Sequence, residues 1–269
     1  MPGDGWGLPR RPRLLAMTFQ EGSETMSIHV GIGGWTFEPW RGPFYPAGHP
    51  QKRELEYAGQ HLTGIEINGT YYGSQKPESF ANWAAAVPDG FRFSVKASRF
   101  ATNRKILADG AASVEKFLTQ GLTRLGDRLG PILWQFMATK TFEPDDFARF
   151  LDLLPETQDG LPLRHALEVR NESFRDPAFI DLARERNMAV AFADSDDFPC
   201  IDEQTADFTY ARLQRSVEDE PTGYADNALD SWATRARDWA AGNRDVYLFF
   251  IAGAKIRNPA AAQALIGRL

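Results

Sequence analysis

From Ile28 onward, short runs in which apolar and polar residues alternate are separated by longer stretches with apolar residues recurring at helical spacing. The first pattern has the period of an extended strand and the second that of an amphipathic helix. Strands are expected at 28–33, 64–69, 91–96, 132–137, 165–170, 188–194, 208–214 and 245–251. Helices are expected within 52–62, 77–87, 111–129, 144–154, 176–186, 227–242 and 258–269. Several open on a proline in the first turn, as at Pro77, Pro144 and Pro177, where the missing N–H has no partner to lose. Alternation of this kind through eight strands predicts an α/β protein of (β/α)8 TIM-barrel type, a single domain over 27–269. The competing architecture is an open doubly wound sheet, which calls for a glycine-rich phosphate loop after its first strand. "GIGGW" at 31–35 is too short and too aromatic for that loop. An antiparallel sandwich is opposed by the long helical intervals. Residues 1–26 are rich in glycine, proline and charge without periodicity, and read as a disordered N-terminal extension with Met26 as an alternative initiator. "RRPRLL" within it resembles the start of a twin-arginine export signal but is not followed by the apolar stretch such a signal carries.

The strands have a polar side. Ile65 and Ile67 oppose Glu66, Asn68 and Thr70. Phe91, Phe93 and Val95 oppose Arg92, Ser94 and Lys96. Leu167 and Val169 oppose Glu168 and Arg170, and Ala211 and Leu213 oppose Tyr210, Arg212 and Gln214. Helices cover the outside of a barrel, so the apolar parity faces outward and the charged parity faces the axis, where barrels ordinarily place branched aliphatics. Two accounts fit this inversion. Glu66, Glu168, Arg92, Lys96, Arg170 and Arg212 could satisfy one another as an internal ion-pair network, since an unpaired buried charge is strongly unfavourable. Alternatively they converge on a ligand at the C-terminal mouth, where barrel enzymes hold their chemistry.

Composition narrows the partners. The chain has 269 residues, 43% hydrophobic, with a net charge of −6, which gives no global attraction to nucleic acid or anionic membranes. No apolar run reaches the ~20 residues of a membrane span, and the cytoplasm is the expected compartment. Cys200 is the single cysteine, which excludes an intrachain disulfide and a multi-cysteine metal site.

Seven fragments together resemble the family called domain of unknown function 72, the YecE-like proteins, from about Ile28 to the C-terminus. They are "GIGGW", "WRGPFYP" at 40–46, "IEINGTYY" at 65–72, "GFRFSVKA" at 90–97, "LGPILWQF" at 129–136, "EVRNESF" at 168–174 and "YARL" at 210–213. The resemblance implies a TIM-barrel-type fold and names no reaction. It also marks departures. Thr102-Asn103 stands where the family commonly has Thr-His, and Arg212-Leu213-Gln214-Arg215 where it has Arg-Leu-His-Gly. Ile251 and Ala252 stand in place of two asparagines, so the resemblance implies a divergent member with an altered substrate or a lost activity.

His29, His49, His61 and His165 match no family motif, and His29 and His165 are expected in packing, at strand starts or on the helix-facing parity. The remaining chemistry lies in carboxylates, cations and amides under rim aromatics that include Trp35 and Tyr72. The leading expectation is an enzyme, a hydrolase or lyase, acting on an anionic or phosphorylated small substrate. Glu168 would be its general acid or base, and Lys96 would stabilise developing negative charge together with Arg212. Asn68, Gln135 and Tyr72 would orient the ligand, with Glu66, Arg170, Asp194, Tyr210 and Trp35 completing the binding set. No cofactor is required; Glu66, Glu168 and Asp194 offer oxygen ligands suited to Mg2+ or Mn2+, with Lys96, Arg170 and Arg212 as competing charges. A nucleic-acid-binding or nuclease-like barrel is the second reading, with Arg99, Arg104 and Lys105 on phosphates. A non-catalytic ligand-binding barrel is the third.

Overall fold

Eight parallel strands close into a ring in the computed structural model, which describes residues 27–269. They are β1 (Ile28–Gly33), β2 (Gly64–Ile67), β3 (Arg92–Lys96), β4 (Leu129–Gln135) and β5 (His165–Glu168). They continue with β6 in two segments (Ala189–Val190 and Phe192–Asp194), β7 (Phe208–Leu213) and β8 (Asp245–Phe250). The first segment of β6 pairs with β5 through Ala166↔Ala189 and Leu167↔Val190. The second pairs with β7 through Ala211↔Phe192, and β8 returns to β1. The amide of Ala191, between the segments, donates to Leu167 O at 2.9 Å, so the sheet has no free edge there. The expected (β/α)8 barrel is the observed fold, in one α/β domain. The expected disorder of residues 1–26 lies outside the described residues.

The outer layer is α1 (Glu54–His61), α2 (Pro77–Ala85), α3 (Ala111–Leu118), α4 (Pro144–Leu151), α5 (Pro177–Glu185), α6 (Asp226–Ala240) and α7 (Asn258–Ile266). The link from β6 to β7 crosses as irregular backbone. The helical period over 111–129 is split. Gly121 takes φ 103° after α3, and Leu122–Arg128 continues as 3-10 turns. In β4 the pairing with β3 shifts between Phe93↔Leu129 and Val95↔Ile132, a bulge that accommodates Pro131, which has no N–H for the ladder. No helix among the described residues is long and apolar enough to cross a membrane.

Outward side chains such as Val30, Ile32, Ile65, Val95 and Leu167 are fully buried against the helices. Inside, a separate cluster of Leu133, Ala166, Phe208, Tyr210, Tyr247 and Phe249 fills the lower bore. His29, the second residue of β1, points inward, not to the helices. Its ring stacks on Tyr247 at 5.1 Å, and burial, then Arg92, lowers its pKa to about 4. Below, Arg164 donates to Tyr247 and is paired with Asp245. His165 does face the helices, its Nδ1 accepting from Trp134 Nε1 at 3.0 Å while Nε2 donates to Pro155 O at 2.8 Å.

Large rings in the bore require small neighbours. Gly31 pairs with Gly64 across β1 and β2, and a Cβ on Gly31 would stand 1.8 Å from Gly64 O. The Phe249 ring packs toward Gly64, where an added Cβ would sit 3.4 Å from it. Gly31→Ala therefore forces two hydrogen-bonded strands apart, and urea denaturation is expected to show a loss of about 3 kcal/mol or more. Gly73→Ala, whose Cβ meets open space at φ −165°, is the control and is expected within about 0.5 kcal/mol of the parent.

Candidate functional site

Near the C-terminal ends of β2, β5 and β7 the inward side chains are charged. Glu66 and Glu168 are fully buried with Arg212 between them. Arg212 donates from Nε to Glu66 Oε2 and from Nη2 to Glu66 Oε1, each at 3.0 Å, and from Nη1 to Glu168 Oε2 at 2.6 Å. Tyr210 donates its hydroxyl to Glu66 Oε2 at 2.8 Å and shares a 2.7 Å hydrogen bond with Ser94. Arg170 reaches Glu168 Oε1 from Nε at 3.2 Å and from Nη2 at 3.0 Å, and Nη2 also donates to Gln135 Oε1 at 2.8 Å. The two-pronged contact between Arg212 and Glu66 is the geometry that makes a guanidinium suited to a buried carboxylate. Burial works to raise the Glu168 carboxyl, but Arg212, Arg170 and Lys96 together overcome it and hold it below the usual carboxylate range.

Lys96 differs from both arginines. It ends β3 with 8% of its surface exposed, and among the described residues its ammonium has no carboxylate within ion-pair distance and no hydrogen bond. Its Nζ lies 4.4 Å from the centre of the Tyr71 ring. Thr70 fixes the backbone beneath it, donating its hydroxyl to Lys96 O at 2.7 Å, and Asn103 Nδ2 donates to Tyr71 Oη at 3.3 Å. Two carboxylates, Glu66 and Glu168, face two guanidiniums, Arg212 and Arg170; Lys96 is the charge left over. Burial first, and Arg212 second, lower its pKa from 10.5 to about 8, with Glu66 and Glu168 pulling partly back.

Continuing the register Glu66↔Ser94 and Ile67↔Val95 places Asn68 beside Lys96, both just at their strand ends. Asn68 borders a cavity of about 350 Å3 that Gly33, Trp35, Tyr72, Trp83 and Lys255 also line, a volume in the range of small-ligand sites. Trp35 and Trp83 meet edge to face with centroids 5.2 Å apart. A side chain on Gly33 would strike Asn68 Nδ2 at 2.9 Å, so the glycine keeps this passage open. On the opposite side, Gln214 follows β7, and its Nε2 is buried without a hydrogen-bond partner.

The structure thus brings together Glu66, Lys96, Gln135, Glu168, Arg170, Tyr210 and Arg212, and sets Trp35, Asn68 and Tyr72 in the adjoining cavity. Asp194 stands apart. It shares the parity of Phe192, whose ring packs on Trp232 and Trp239 of α6, and it pairs with Arg215 at 3.4 Å. The three carboxylates considered for Mg2+ or Mn2+ therefore do not converge, and Glu66 and Glu168 are taken by arginine; no group of three His, Cys, Asp or Glu side chains among the described residues is placed to hold a metal. Arg92 is likewise outside the network, donating to Phe91 O at 3.3 Å. Reading the residues alone placed Tyr71 only among the rim aromatics and left Ser94, Trp83 and Lys255 out of the site. The parity shared with Lys96 marks Ser94, whereas nothing in the local pattern marks Lys255.

A family model described as "Protein of unknown function DUF72" matches residues 29–269. Over 142 residues the chain is 30% identical to the UPF0759 protein YecE of Escherichia coli (strain K12), covering 51% of this chain and 48% of that protein. The chain thus spans about half the length of the curated relatives it matches. A DUF72 family protein from Thermotoga maritima MSB8 superposes with a TM-score of 0.69 at 20% identity, over 89% of this chain and 97% of that one. Another, from Enterococcus faecalis V583, gives 0.67 at 18% identity, over 88% of this chain and 93% of that one. These two likenesses show the fold.

The charge balance gives opposite signs for two substitutions. Between about pH 8 and 10.5 the unfolded chain holds a proton on Lys96 that the folded chain has lost, so this group makes stability rise with pH in that window. Below pH 8 its full penalty, about 3 kcal/mol, applies. Lys96→Met is expected to be more stable than the parent at pH 7, with the gain fading from pH 8 to 10.5 in paired urea titrations. Arg212→Met leaves two buried carboxylates short of countercharge and is expected to lose about 3–5 kcal/mol at pH 7.

Proposed function

The chain belongs to the DUF72 family, and on that premise we propose that its barrel mouth binds a small anionic molecule and acts on it as a hydrolase or lyase. The observation that supports this is the uncompensated Lys96 ammonium at the mouth. A negative ligand supplies the countercharge that Glu66 and Glu168, both held by arginine, do not. Arg170, whose side chain is 22% exposed, keeps Nη1 without a hydrogen bond among the described residues and gives the ligand a second point of attachment. A carboxylate or phosphate fits both groups.

Glu168, the expected acid or base, is ionised and paired on both oxygens, which suits it to orient Arg170 and Arg212. Proton transfer falls instead to Lys96. An amine with a pKa near 8 exchanges protons close to neutral pH, as a general base or acid must. Asn68, Tyr72 and Trp35 hold the remainder of the ligand in the adjoining cavity. A second reading is favoured by one observation. Tyr72 and Phe100 are 66% and 57% exposed, with the Arg99 guanidinium 6.0 and 5.3 Å from their ring centres, an arrangement that suits stacked bases and phosphate.

Thermal unfolding of the full chain with phosphosugars, oxo acids and sugar acids is expected to show stabilisation by at least one small anion. That shift is expected to vanish in Lys96→Met and in Arg170→Ala. No response to any anion, or a response in both variants equal to that of the parent, would sink the reading. A ligand recovered unchanged after long incubation would reduce it to binding alone. Stabilisation only by single-stranded oligonucleotides, weakening steeply with salt, would favour the second reading.

A further inference from the structure

We propose that Lys96 is a covalent catalytic residue that forms an imine with an aldehyde or ketone carrying a carboxylate or phosphate group. The inference rests on the reading of the mouth as the ligand site and names its substrate class. Placement and surroundings carry it. Lys96 ends a barrel strand, points to the axis and is nearly buried, yet no acid within reach fixes its amine. A lysine whose role were structural would be paired, as Lys140 is with Asp146 at 2.9 Å. Here both nearby carboxylates are committed to Arg212 and Arg170, which leaves the amine free to react while the anionic arm of a substrate offsets the cations around it.

The Tyr71 ring, 4.4 Å from Nζ, presents its negative face to a cation and so favours an iminium as well as an ammonium. Burial lowers the Lys96 pKa to about 8, which leaves a useful fraction of neutral, nucleophilic amine near neutral pH. Arg170 Nη1 and the unpartnered Gln214 Nε2 supply donors for the carboxylate or phosphate.

The step balances without any outside reagent. Lys96 gives up a proton, and the Nζ lone pair adds to the carbonyl carbon as the C=O π pair moves to oxygen. Proton transfers to that oxygen follow, the C–O bond breaks, and water leaves. The sum is ammonium plus carbonyl giving iminium plus water, with both hydrogens of the water taken from the ammonium and one positive charge kept throughout. An iminium draws electrons from the adjacent carbon, so it prepares cleavage of a C–C bond beside the former carbonyl and places the protein among the lyases.

The test is reductive trapping on the full chain, with pyruvate as the carboxylate probe and dihydroxyacetone phosphate as the phosphate probe. Sodium cyanoborohydride, which reduces iminium ions in preference to carbonyls, fixes the adduct. Intact mass is expected to rise by the mass of the probe less one oxygen atom. Peptide mapping is expected to place the adduct on Lys96 at least about tenfold faster than on the exposed Lys52 and Lys76, because burial lowers the Lys96 pKa to about 8 and the anion site holds the probe beside it. Lys96→Arg, which keeps the charge, is expected to retain anion-dependent thermal stabilisation and lose the adduct. Stabilisation by either probe with Lys96 labelled no faster than the exposed lysines would overturn the imine and leave the anion site standing. Absence of both stabilisation and adduct with every anion tried would remove both readings.

Discussion

Three strands of the barrel meet at a single guanidinium. Arg212 on β7 binds both oxygens of Glu66 on β2 and one oxygen of Glu168 on β5, where a barrel core would ordinarily hold branched aliphatics. Taking three charges out of water is favourable only because each finds partners in good geometry, and a single missing partner reverses the sign. The consequences spread outward from this constraint. Tyr210, itself hydrogen-bonded to Ser94, completes the hydrogen bonds of Glu66; Arg170, which also donates to Gln135, completes those of Glu168; and no acid is left for Lys96. The reactivity assigned to the lysine is thus a by-product of how completely the arginines are satisfied.

Much of this could be read from alternation alone. Parity within "IEIN", "RFSVK", "LEVR" and "YARL" identified the inward charges because a two-residue period leaves no freedom about which side chains share a face. The same reasoning failed at Asp194. The second segment of β6 carries it on the face of Phe192, and an apolar run such as "MAVAFAD" has no polar parity to reveal that. Nor does any one-dimensional pattern show that Glu168 is gripped by two arginines from different strands. Pairing across the bore depends on barrel closure, which is a property of all eight strands together. Lys255 entered the cavity lining for the same reason, brought there from the last loop of the chain.

The positions that the sequence resemblance marked as departures acquire physical content in the structure. Asn103 anchors the tyrosine that covers Lys96, and Gln214 leaves a donor unused at the mouth. Ala252 occupies φ 61°, a left-handed conformation that disfavours alanine by roughly 1–2 kcal/mol and that asparagine adopts more readily. Its carbonyl is nonetheless held, accepting from Asn258 Nδ2 at 3.2 Å. The loop therefore holds a left-handed turn on a residue type that does not favour it.

The aromatic plug in the lower bore also decides how molecules travel. Phe208, Tyr210, Tyr247 and Phe249 leave no passage past the charged layer, and the Arg164–Asp245 pair lies beneath them. The barrel is a blind tube. Whatever reaches Lys96 enters over the rim and leaves over the same rim, so two reactants cannot arrive from opposite ends.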